Sequence, residues 1–99
     1  MSKFKITIVK QVVHKDLIDK YENPLENACN LHVGDVFYTN GQERPFALCE
    51  SAWETIKPFL VKLDNNEKVY GGWMKNPKSA MLSCNDGFRP TSFYIEKIE

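Results

Sequence analysis

Ser51-Ala52-Trp53-Glu54-Thr55-Ile56-Lys57-Pro58-Phe59-Leu60-Val61-Lys62-Leu63-Asp64 carries the clearest local signal in the chain. A serine followed three residues later by a glutamate has the capping-box spacing, in which the Ser51 hydroxyl and the Glu54 carboxylate each accept a hydrogen bond from a backbone N–H at a helix start. Ala52, Ile56, Phe59, Leu60 and Leu63 then recur at three- and four-residue spacing and give that helix one apolar face. Pro58 lacks a backbone donor and is expected to kink it, and Asp64-Asn65-Asn66 ends it. Such a helix has to cover an apolar surface, and the flanking segments supply one.

Phe4, Ile6 and Ile8 alternate with Lys5 and Thr7, the period of a half-buried strand, which places a first strand at residues 3–10. Asp16 is expected to cap a short helix over residues 17–21, with Leu17 and Tyr21 on one face and Asn23-Pro24 as the stop. Residues 24–33 read as a loop that holds Cys29. Gly34-Asp35 turns the chain into the β-rich run Val36-Phe37-Tyr38-Thr39, closed by Asn40-Gly41. Residues 64–79, with Gly71-Gly72 and Pro77, read as a second loop, in which Val69-Tyr70 and Trp73-Met74 form a short strand or lie over the core. Ala80-Met81-Leu82-Ser83-Cys84 and the segment Thr91 to Ile98 flank Asn85-Asp86-Gly87 as a hairpin whose loop is longer than two residues. If Gly87 closes that hairpin, it is expected in the left-handed region. Together these elements specify one α+β domain over residues 1–99. It has a mainly antiparallel sheet, one main helix on one face and one short helix, with a partly open barrel as the alternative.

The composition narrows the function classes. Thirteen basic residues balance thirteen acidic ones and are interspersed along the 99-residue chain, so there is no basic stripe of the kind that binds nucleic acid. No apolar run reaches the length of a membrane span or a signal core. The three cysteines, Cys29, Cys49 and Cys84, are odd in number and widely spaced, which suits free thiols in a reducing, cytoplasmic compartment better than a disulfide framework.

A family pattern runs through these segments. A cysteine precedes Val33-Gly34-Asp35, Cys49 is followed by Ala52-Trp53 and Ile56-Lys57-Pro58, and Cys84-Asn85-Asp86-Gly87-Phe88-Arg89-Pro90 precedes a final Phe93-Tyr94-Ile95-Glu96-Lys97-Ile98. From about Ile6 to Ile98 the chain resembles a family of small uncharacterised proteins of bacteria and archaea, many from anaerobes, with the same three cysteine contexts. The Cys84–Pro90 segment is the most specific part. Those proteins often carry proline after the first cysteine, where this chain has Asn30. No activity is established for the family, so the resemblance implies kinship and carries no catalytic role.

Three constellations hold chemistry. Cys29, His32, Cys49 and Cys84 would suit zinc or iron if they converged, although only Cys29 and His32 have a close ligand spacing and free cysteines commonly pack as small hydrophobes. Cys49 lies just before the helix that follows, where the positive end of the helix dipole favours negative charge and Glu50 opposes it. Neither His14 nor His32 is placed beside it by the sequence to act as a base. In the Asp86-Gly87-Phe88-Arg89-Pro90 turn, Arg89 can offer a two-pronged donor to a carboxylate or phosphate, or can pair with Asp86 to brace the turn. Trp53, Trp73, Tyr70 and Phe88 could line a pocket or be core.

Three functions follow as expectations. The first is a small-ligand domain with an anion site bordered by Asp86, Arg89 and Trp53. The second is a thiol enzyme, or a redox or metal protein, using Cys29, Cys49 and Cys84. The third is an interaction protein that forms a homodimer through an uncovered sheet face or edge.

Overall fold

The computed structural model describes residues 2–24 and 31–99. In chain order they form strand β1 (Phe4–Gln11), helix α1 (Lys15–Tyr21), strand β2 (Val36–Thr39), helix α2 (Glu50–Asp64), a 3-10 turn (Val69–Gly72), and strands β3 (Ser79–Ser83) and β4 (Thr91–Lys97). The strands make one four-stranded sheet in the order β2-β1-β4-β3, antiparallel throughout. The architecture is α+β with an open sheet: β2 and β3 are its edges, so the barrel alternative is not adopted.

Alternation along the strands decides which face α2 covers. Phe37, Ile6, Ile95 and Ala80 stand in one cross-strand row, and Ile8, Phe93 and Leu82 in the next. Ala52, Trp53, Ile56, Leu60 and Leu63 of α2 bury themselves among these rows, and Leu31, Leu48 and Val69 complete the core. Each such Leu, Ile or Phe contributes about 1.5–3 kcal/mol through the water it sheds. The alternation is reset once, between Ile8 and Lys10, where Val9 is the extra residue of a β-bulge. Beyond it Gln11 pairs with the buried Thr91, and its Nε2 donates to the Leu31 carbonyl at 2.7 Å.

Both helix starts differ from expectation. α2 begins at Glu50 with Cys49 as N-cap and no side-chain cap, and the Trp53 N–H donates to the Cys49 carbonyl at 3.0 Å. Ser51 therefore stands inside the first turn and the capping box does not form. The reason lies upstream: Leu48 is fully buried, its N–H bonds the Pro45 carbonyl, and Arg44 Nη1 donates to its carbonyl at 2.8 Å. That anchored turn launches the helix before Ser51. α1 starts at Lys15 with His14 as N-cap, so Asp16 lies in the first turn, where its charge suits the helix dipole without capping. No residue of α1 is buried, and Leu17 and Tyr21 are exposed. Pro58 lies within α2 on its exposed side; the carbonyl it leaves without a helical donor belongs to Glu54, itself exposed to water.

Two glycines give opposite expectations. Gly41 has φ 91°, and a β-carbon there would stand 3.1 Å from the core ring of Phe4. Gly41→Ala should lower stability by about 1–2 kcal/mol from the left-handed backbone alone, with displacement of the Phe4 ring in addition. Gly87 is outside the left-handed region and a β-carbon there would meet open space, which corrects the sequence expectation. Gly87→Ala should leave the denaturation midpoint unchanged or raise stability by about 0.4–1 kcal/mol. Chemical unfolding of the two variants side by side tests both; equal losses would contradict this backbone.

Candidate functional site

The β3–β4 loop is built around Asp86. Its Oδ1 accepts the N–H groups of Phe88 at 2.8 Å and Arg89 at 3.2 Å, so the carboxylate shapes the turn. Cys84 closes the loop from the other end: its N–H donates to the Thr91 carbonyl at 3.0 Å, and its Sγ accepts the Thr91 N–H at 3.3 Å. The loop is tied to the chain after β1 by bonds from Val12 N–H to the Pro90 carbonyl and from His14 N–H to the Phe88 carbonyl.

Arg89 reaches Glu22, at the end of α1, with both prongs: Nη1 to Oε2 at 3.1 Å and Nη2 to Oε1 at 2.7 Å. The Arg89 side chain is 23% exposed and that of Glu22 only 10%. These hydrogen bonds hold the guanidinium above its ordinary pKa against partial desolvation, helped by the charges of Glu22 and Asp86. The stabilisation is present at every pH below the arginine's ordinary titration and is lost only as pH rises through the raised value, so on the arginine's side it is complete at neutral pH.

Across from this loop lies the start of α2, joined to it by a 3.0 Å hydrogen bond between Thr55 Oγ1 and Asn85 Oδ1. Between the two walls is a cleft of about 160 Å³, lined by Cys49 and Ser51 on the helix side, Cys84, Asp86 and Arg89 on the loop side, and Leu31 and Thr91. Drug-sized ligands occupy pockets of roughly 300–1,000 Å³, so this cleft suits a group of few heavy atoms. Cys49 is exposed at its rim, and Cys84 is half-buried with its other side against the hydrophobic core.

Four residues singled out in the sequence, Cys49, Cys84, Asp86 and Arg89, thus line one cleft. Trp53 is part of the core. His32 is not among the cleft's lining residues; its side chain is 81% exposed and its N–H is bonded to Asp35 Oδ2 at 2.9 Å. Cys29 is outside the described residues. Among the described residues, no group of three or more His, Cys, Asp and Glu side chains is placed to hold a metal ion. No described helix is long and apolar enough to cross a membrane.

Sequence reasoning missed Glu22, Ser51 and Thr91 as members or supports of the site. Nothing local marks Glu22 as the partner of a residue on a distant loop, while the inward position of Thr91 follows from the alternation Thr91, Phe93, Ile95.

No family model, curated protein or solved structure matches the chain.

Proposed function

We propose that the protein works through the thiols of this cleft, with Cys49 as the entering nucleophile or soft ligand and Cys84 as the thiol behind it. The observation that carries the proposal is that two cysteines from separate elements line the same small cleft. Cys49 has access to solvent, and the N-terminus of a 15-residue helix places the equivalent of about half a positive charge beside it. Asp86 and Arg89 have other work: one carboxylate oxygen holds the turn and the guanidinium fork holds Glu22. The thiols and the Ser51 hydroxyl are left as the groups available to a visitor.

The test is alkylation of the folded, reduced protein at neutral pH, followed residue by residue. Cys49 should react first and faster than a model thiol, with Cys84 protected until unfolding. A Cys49 that reacts no faster than the model thiol sinks the proposal. A small anionic ligand is the second reading, favoured by Arg89 lining the same cleft; such a ligand would have to displace Glu22, and a panel of small carboxylates and phosphates that raises the melting temperature would support it.

A further inference from the structure

Resting on the thiol reading, we infer that Cys49 and Cys84 are a redox pair that takes electrons to low-molecular-weight disulfides and closes into an internal disulfide. The two sulfurs have different surroundings. Cys49 is exposed at the cleft rim on the α2 N-cap, so an incoming disulfide meets it first. Cys84 is half-buried just beyond β3, packed on the core, with its Sγ receiving the Thr91 N–H. It is shielded from a bulky reagent and faces the same cleft as Cys49. The walls that carry the two residues are already joined: α2 packs on β3, and Thr55, in the second turn of α2, bonds Asn85, the neighbour of Cys84. Closure therefore brings together two segments that the fold holds side by side.

The chemistry balances in two exchanges. Cys49 loses its proton to solvent, and its thiolate attacks one sulfur of the external disulfide. A Cys49–S–S–R bond forms, the external S–S bond breaks, and one thiolate leaves and takes up a proton. Cys84 then loses its proton, and its thiolate attacks the Cys49 sulfur, forming the Cys49–Cys84 bond and releasing the second external thiolate, which is protonated in turn. Two protein thiols are oxidised and one external disulfide is reduced to two thiols. The helix N-terminus steadies the negative sulfur in the first step, and the Thr91 N–H bond to Cys84 Sγ does so in the second.

The experiment uses the full chain, reduced under nitrogen, mixed with oxidised glutathione, quenched in acid and mapped by mass spectrometry. The parent should lose two hydrogens and yield a Cys49–Cys84 cross-linked peptide, with only a transient glutathione adduct. Cys84→Ser should stop at a lasting adduct on Cys49, and Cys49→Ser should lose both adduct and cross-link in the same time. Cys84→Ala is a second variant with the same expected adduct, and a cooperative melt of each variant verifies folding. A lasting adduct on Cys49 in the parent overturns the redox pair and leaves the thiol reading standing. A cross-link through Cys29 overturns the assignment of the pair. No reaction at Cys49 in the folded parent removes both proposals.

Discussion

Truncating Phe93 to alanine should remove about 3–5 kcal/mol of stability, a large share of the roughly 5–15 kcal/mol that holds a domain of this size together. Phe93 is fully buried, with Ile8 beside it on one neighbouring strand and Leu82 on the other, in the part of the sheet that α2 covers. Alanine would lose the ring's transfer energy and leave a void that the paired strands cannot close, because their register is fixed on both sides. In urea unfolding, the midpoint should fall sharply with little change in slope. Ser92→Ala, next in the chain and on the opposite face, is the control and should stay within about 0.5 kcal/mol of the parent. Similar losses in both would mean that β4 is not in the register described. Because Thr91, two residues earlier, lines the cleft, the Phe93 variant should also bind or react less well even while folded.

The second large effect is expected from Arg89→Met. It would leave the carboxylate of Glu22, only 10% exposed, without its bidentate partner, and a mostly buried charge without compensation is strongly destabilising. The loss should concentrate in α1. That helix buries no residue, and among the described residues the Arg89–Glu22 pair and the His14 to Phe88 bond tie its two ends to the β3–β4 loop. Amide exchange should accelerate over Lys15–Tyr21 before it does in the sheet. Arg89→Lys keeps the charge but loses the fork, and should fall between the parent and Arg89→Met. If Arg89→Lys instead left stability unchanged while abolishing stabilisation by a small anion, Arg89 would be a ligand-binding residue and the brace interpretation would fail.

Much of the fold was legible because periodicity is a property of side chains alone. Phe4, Ile6 and Ile8, and Phe93 and Ile95, announced the central strands, and Ala52, Ile56, Leu60 and Leu63 announced the helix that covers them. The helix starts were not legible, since a serine or aspartate serves equally well as a cap or in the first turn. Which role it takes depends on anchors such as buried Leu48, whose position is set by the assembled core. Gly87 shows the same limit: its neighbour Asp86 supplies the turn's hydrogen bonds, so no left-handed residue is required there. At the site, residue types pointed to Cys49, Cys84, Asp86 and Arg89, and their shared cleft emerged only from the packing of α2 beside the β3–β4 loop. The Arg89–Glu22 pair joins two segments that no local spacing relates.

The strand order has a consequence for how the protein is made. β1 is made well before its most extensive partner, β4, with Phe4 opposite Lys97 and Gln11 opposite Thr91. Until β4 emerges, the strand that can pair with Phe4, Ile6 and Thr7 among the described residues is the four-residue β2. Between the synthesis of β1 and that of β4 the nascent chain therefore carries an apolar strand that lacks its main partner, and closure of the sheet is an event of high contact order. Folding should therefore be limited by the pairing of β1 with β4 more than by the formation of α2.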